Sequence, residues 1–150
     1  MHLKIPPALV LIFFATIMYV LAKFLPVGYF DFFGRNLLIY ILLGISVLIG
    51  IIALFQFLIF KTTIDPRKPE KAIKLVKSGV YSFSRNPMYL AMLLMLLALG
   101  LWMGNAFNIL IAAGFVGYMN AYQIIPEENA LIKLFGKEYK YYCTLTRRWF

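Results

Sequence analysis

The sequence predicts an all-α integral membrane protein with about four transmembrane helices, a short cytoplasmic surface helix and a C-terminal interfacial helix. Three observations carry this. Of the 150 residues 63% are apolar and only 14% are charged, the mean hydropathy is +0.82, and nearly everything outside one basic loop and the C-terminal tail is apolar enough to cross a bilayer. The chain is expected to form one membrane domain over residues 1–150, with no room for a soluble catalytic domain.

The first span is placed at residues 8–25. His2 and Lys4 precede it as in a signal peptide, but no small-x-small cleavage site follows, and Lys23-Phe24-Leu25-Pro26 closes it, so it is read as a membrane anchor. The second span covers residues 37–60. The loop 61–86 opens with Thr-Thr-Ile-Asp-Pro-Arg-Lys-Pro, and its Pro66 and Pro69 predict an extended turn. Residues 70–77 then read as a short basic helix on the membrane surface, stopped at Ser78-Gly79.

The third and fourth spans, residues 87–103 and 106–125, are joined by little more than Gly104-Asn105 and form a tight hairpin. Gly100-x-x-x-Gly104 and Ala113-x-x-x-Gly117 are assigned to close helix packing. The tail carries apolar residues at 131, 134 and 135 with positive charge between them, the pattern of an amphipathic interfacial helix broken at Phe135-Gly136. Trp102 and Trp149 are read as interface anchors.

Orientation follows from charge. With four spans, Lys4, the loop residues Lys61, Arg67, Lys68, Lys71, Lys74, Lys77 and Arg85, and the tail residues Lys133, Lys137, Lys140, Arg147 and Arg148 fall on one side. Positively charged loops stay cytoplasmic, which sets that face inside. The net charge of +9 thus belongs to one membrane face and fits anionic headgroups or an anionic part of a ligand, with no nucleic acid and no protein partner predicted.

Single residues narrow the chemistry. One cysteine, Cys143, excludes an internal disulfide, and His2 as the sole histidine argues against a zinc site, a two-histidine iron site and a histidine-based nucleophilic unit. Chemistry must therefore rest on Glu, Arg, Asn and Tyr, or belong to a cofactor.

Two clusters remain. Asn86-Pro87 suits a helix start, because Asn caps well and Pro lacks only an N–H that would be orphaned anyway, and Arg85 could simply anchor that start at the headgroups. At the end of span four, Asn120, Gln123 and Glu127 share one face at helical spacing if Pro126 only bends the helix. Polar groups at that depth usually mark a ligand site. The plainer explanation of Glu127 and Glu128 is the N-terminal dipole of a new helix beginning near Pro126, at about 0.3 to 1 kcal/mol, which leaves Asn120 and Gln123 unexplained. The hairpin puts both clusters at one membrane face, as neighbours.

Gly79-Val-Tyr-Ser-Phe-Ser-Arg-Asn-Pro-Met-Tyr89, then Glu127-Glu128-x-x-Leu131 and Phe135-Gly136-x-x-Tyr139-x-x-Tyr142, resembles the isoprenylcysteine carboxyl methyltransferase and phospholipid methyltransferase superfamily, over residues 76–150. The resemblance implies an integral membrane enzyme that holds S-adenosylmethionine at the cytoplasmic face. It implies cofactor contacts at Tyr81, Arg85, Asn86, Pro87, Tyr89, Glu127 and Glu128, to which the polar face of span four adds Gln123. The family's usual histidine after the arginine is Asn86 here, so no mechanism can use a titrating base at that position.

The residue types also suit the cofactor directly. Arg85 with a helix N-terminus suits its carboxylate, Glu127 or Glu128 its ammonium, and Tyr81, Tyr89, Phe135 and Tyr139 supply walls. The acceptor is expected to be a small lipophilic or amphiphilic molecule entering from the bilayer. An oxygen acid or thiol would be helped by Arg147 and Arg148, an amine by Glu128, which makes Glu128 and Arg148 the catalytic candidates. Two other readings stay open: an NADPH-dependent membrane reductase of sterol-reductase type, which shares an aromatic-Arg-x-Pro corner, and a non-catalytic protein binding anionic lipid through its basic face.

Overall fold

A computed structural model describes residues 5–25, 28–60 and 74–150. Among the described residues six α-helices run in order: α1 (Pro7–Phe24), α2 (Arg35–Ile59), α3 (Pro87–Met103), α4 (Asn108–Met119), α5 (Ile125–Phe135) and α6 (Lys137–Leu145). A 3-10 turn, Gly79–Ser82, precedes α3, and a π turn, Asn120–Ile124, joins α4 to α5. The described residues are helical throughout their named elements, as the sequence predicts. The helices Pro7–Phe24, Arg35–Gln56 and Asn108–Phe135 are long and apolar enough to cross a membrane. At 17 residues, α3 lies at the short end of the spanning range, roughly 25 Å at 1.5 Å per residue.

Between helices in lipid, close approach rather than dehydration drives packing. Ser46, Gly50 and Ala53, spaced by four and three, share one face of α2, and the first two stand against Ala91 of α3. The Ser46 hydroxyl donates to the Ala91 carbonyl at 2.7 Å, a Cβ on Gly50 would stand 3.7 Å from that of Ala91, and Ala53 is fully buried. On the other side of α3, Val10 and Met18 of α1 and Ala112, Phe115 and Met119 of α4 pack with Leu93 and Leu96 into one core. The membrane anchor predicted at residues 8–25 is thus part of the packed bundle.

The predicted small-residue packing is only partly observed. Gly100 does lie under the next helix, where a Cβ would come within 3.2 Å of Asn108 Cβ, but nothing lies within 4 Å of the corresponding point at Gly117. In α4 it is Gly114, one residue into the next turn position, that faces α1, at 3.4 Å from Phe14. Gly104 instead closes α3 in a left-handed conformation, φ 64°. Its carbonyl accepts the Phe30 N–H at 3.0 Å, and the Ala106 N–H reaches Gly28 O at 3.0 Å. The Asn105 amide donates to the end of α1 at Leu25 O, 3.0 Å away. The three residues after α3, Gly104, Asn105 and Ala106, therefore tie the hairpin to the connection between the first two helices.

The predicted surface helix over residues 70–77 is not borne out where it can be judged: residues 70–73 lie outside the described residues, and 74–77 are not helical. Tertiary contacts override the local propensity. Val76 is buried with Ala53 and Tyr81, and the Gln56 side chain of α2 ties down the following turn, donating to Ser78 O at 2.8 Å and accepting the Val80 N–H at 3.2 Å. Gly79 is required there twice over: its φ is 60° and a Cβ would collide with the Gln56 carboxamide. Gly79→Ala is expected to destabilise the protein by about 1 to 3 kcal/mol, through backbone strain and displacement of Gln56. Thermal unfolding in detergent checks it, with Gly136→Ala as a comparison, since Gly136 also has positive φ but an open Cβ position.

α4, the π turn and α5 form one continuous helical rod of 28 residues, Asn108–Phe135. The helix therefore does not restart at Pro126, and no new N-terminal dipole explains Glu127 and Glu128. Pro126 lacks the N–H that an α-turn would need, and the wider π turn just before it absorbs that defect. The break at Phe135-Gly136 occurs as predicted, with Gly136 at φ 54°, ψ −119° between α5 and α6.

Candidate active site at the start of the third helix

Pro87 opens α3, as its fixed φ and missing N–H favour, but the Asn86 side chain makes no capping bond. The Asn86 backbone carbonyl accepts the N–H groups of Tyr89 and Leu90 at 3.0 and 2.9 Å, while its amide turns away and donates to Arg148 O at 2.9 Å. The expectation that Asn86 caps with its side chain is thus corrected: the C-terminal tail has captured it. Ser84, not singled out among the candidate residues, is buried. Its hydroxyl accepts the Asn86 N–H at 3.1 Å and donates to Arg148 O at 3.4 Å.

Arg85 stands at the centre of this corner. Its backbone N–H donates to Arg147 O at 3.0 Å. One guanidinium nitrogen donates to the carbonyls of Cys143 and Thr146, each at 3.0 Å, which caps the carbonyl end of α6. The other donates to Glu128 Oε1 at 2.8 Å. Arg148 reaches the same carboxylate from the far side, Nε to Oε1 at 3.1 Å and Nη2 to Oε2 at 2.7 Å. The Arg85 and Glu128 side chains keep only 11% and 13% of their surface exposed, so this is a buried pair whose partners are needed to offset desolvation. The hydrogen bonds that Arg148 donates to Glu128 raise the Arg148 pKa further, and Arg148 stays charged.

Glu127 is one residue away and in different surroundings. Its Oε1 accepts the Tyr89 hydroxyl at 2.5 Å and the Gln123 amide at 2.6 Å, and that amide also reaches Tyr89 Oη at 3.3 Å. Gln123 and Tyr89 are buried. Among the described residues no cation lies within ion-pair distance of Glu127. Two adjacent carboxylates thus divide: Glu128 is neutralised by two arginines, and Glu127 is held by neutral donors alone.

Asn120 does not join Gln123 and Glu127. The π turn adds a residue to the repeat and rotates Asn120 off their face, and its Oδ1 accepts the Trp149 indole N–H at 3.0 Å. Trp149, read from sequence as an interface anchor, instead packs against the buried core. Tyr81 sits buried in the 3-10 turn, where its carbonyl accepts the Tyr142 hydroxyl at 2.5 Å. Tyr139 and Tyr142 are buried and pack ring to edge at 6.0 Å. Burial raises the pKa of Tyr81, Tyr139 and Tyr142 above the ordinary phenol value, and all three remain protonated.

The predicted residues Tyr81, Arg85, Asn86, Pro87, Tyr89, Gln123, Glu127, Glu128 and Arg148 therefore lie at one corner, where the start of α3, the first turn of α5 and the C-terminal tail meet. Ser84 and Thr146 were missed, Trp149 was read only as an interface anchor, and Asn120, grouped in sequence with Gln123 and Glu127, is bonded to Trp149 instead. Only the path of the tail gives these four their partners.

Comparison with known proteins gives the family. The family model described as "Phospholipid methyltransferase" matches residues 35–138, reaching back over α2, which in sequence resembled nothing beyond a membrane helix. A Haemophilus influenzae protein described as "Uncharacterized protein" is 45% identical over 62 residues, covering 41% of this chain and 98% of its own length. No solved structure matches significantly. With the family model spanning most of the described bundle and both halves of the α3–α5 corner, the chain belongs to the phospholipid methyltransferase family.

Proposed function

We propose that the protein transfers a methyl group from S-adenosylmethionine to a small lipophilic or amphiphilic acceptor at the cytoplasmic membrane face. The observation that carries this reading is the division of the two carboxylates. A zwitterionic amino-acid group needs an anion with no resident cation and a donor with no resident acceptor. Glu127 is the first, and Arg85 Nε, buried and without a hydrogen-bond partner among the described residues, is the second. Glu127 with Tyr89 and Gln123 would hold the ammonium, Arg85 at the N-terminus of α3 the carboxylate, and Tyr81 and Tyr139 would supply apolar walls.

S-adenosylmethionine supplies an electrophilic methyl on a sulfonium, so the chain's own work is to align and to exclude water. Glu128 and Arg148, the catalytic candidates, are held against each other and against Arg85, which leaves Glu127 as the carboxylate free to face a cation or take a proton from an amine acceptor. An apolar cleft of about 660 Å³ lined by Leu43, Met95, Leu99 and Trp102 lies along the far half of α3, roughly 12 to 22 Å from Pro87 at 1.5 Å per residue, and is not part of this site. A lipophilic acceptor is supported by the position of the corner at the end of apolar, membrane-length helices. The cytoplasmic assignment rests on the basic residues gathered at that end.

Calorimetry with S-adenosylhomocysteine, on the protein in nanodiscs, tests the reading directly. Micromolar, one-to-one binding is expected, and in a separate incubation with methyl-labelled S-adenosylmethionine, transfer of the label into extracted lipid. An absence of binding, with NADPH or anionic lipid binding in its place, would overturn it.

A further inference from the structure

Two consecutive residues of the C-terminal tail bond to the surroundings of both carboxylates, one to Glu128 directly and one to the turn that carries the partner of Glu127. Arg148 grips Glu128 through two nitrogens while its carbonyl is held by Asn86 and Ser84. Trp149 donates to Asn120, the first residue of the π turn. That turn carries Gln123, which donates to Glu127 and to Tyr89. The tail is anchored along its length: Arg85 binds the carbonyls of residues 143, 146 and 147, and the Thr146 hydroxyl donates to Ser82 O at 3.3 Å.

We propose that Arg148 and Trp149 act as a latch that sets both carboxylates at once, with Trp149 and Asn120 as positioning residues for Glu127. This rests on the methyltransferase reading above. The physical reason lies in the π turn. An α-helix has one local register, but a π turn holds an extra residue that can move along the helix, so Gln123 faces Glu127 only while the turn stays at Asn120–Ile124. The indole–amide bond pins the turn at its first residue. Trp149 has a ring packed on the core, so the tail cannot withdraw from the corner without freeing Asn120 and Gln123 together. Neither Trp149 nor Asn120 touches Glu127, and the effect of each must pass through the turn.

The test removes one bond from either end. Trp149→Phe keeps the packed ring and deletes the indole N–H; Asn120→Ala deletes the acceptor. Each is expected to weaken S-adenosylhomocysteine binding roughly three- to tenfold, the range of one hydrogen bond, and the double variant to be no weaker than either single one. In a Trp102→Phe background Trp149 is the sole indole, and its emission should change saturably with ligand, at the midpoint found by calorimetry. Unchanged affinity in either folded variant, losses that multiply in the double variant, or a silent Trp149 during measured binding would each overturn the latch while leaving the cofactor reading intact. Failure of the unaltered protein to bind at all would bring down that reading, and the latch with it.

Discussion

Arg85→Ala is expected to destabilise the protein by about 3 to 5 kcal/mol, the cost of removing one partner from a buried ion pair. The loss is larger than a pairwise contact suggests because Arg85 also satisfies the carbonyls of Cys143 and Thr146. Without it these acceptors at the end of α6 are orphaned and Glu128 keeps Arg148 alone. The tail should then leave the corner, with faster proteolysis after Arg147 or Arg148 and a lower unfolding temperature in detergent. Arg85→Lys is expected to recover little of this, since an ammonium cannot reach two carbonyls and a carboxylate with the planar fork of a guanidinium. A stable Arg85→Ala protein with a protected tail would show that the corner is held by packing instead.

Glu127→Gln is expected to leave the fold nearly unchanged and to lower S-adenosylhomocysteine affinity by roughly ten- to a hundredfold, as for a hydrogen bond to a charged group. The substituted amide oxygen can still accept from Tyr89 and Gln123, and no ion pair is broken, since Glu127 has no cationic partner among the described residues. Glu128→Gln should do the reverse, lowering the unfolding temperature through the loss of charge between Arg85 and Arg148. Calorimetry and thermal unfolding on both variants decide the matter. If the two glutamates give the same pattern, the division of roles drawn from their surroundings is wrong.

Much of the fold was legible in the chain because spans are a one-dimensional property. Runs of apolar residues of bilayer length, the hairpin at Gly104-Asn105 and the break at Gly136 each depend on residues within a few positions. The surface helix expected at 70–77 shows the boundary: its charges suit an amphipathic helix, but over the described residues 74–77 the chain is not helical, Val76 goes to the core and Gln56, from a helix earlier in the chain, sets the turn. The packing seam was misread for a related reason. Small residues at 113 and 117 and at 46, 50 and 53 look alike in sequence, and only the positions of neighbouring helices select the second set.

The sequence by itself determined that this is a helical membrane protein, which residue types could serve a cofactor, and that the start of α3 and the end of α4 share a face, because hydropathy and helical spacing are local. The tertiary structure decided which glutamate is spent on an ion pair and which is open to a ligand, and turned Trp149 from a surface anchor into a partner of Asn120. Those outcomes depend on bonds between residues 20 to 64 positions apart and on the π turn that shifts the register between them. No local pattern encodes such bonds, since burial and the loss of water, which make each partner necessary, arise only when the tail folds back over the corner.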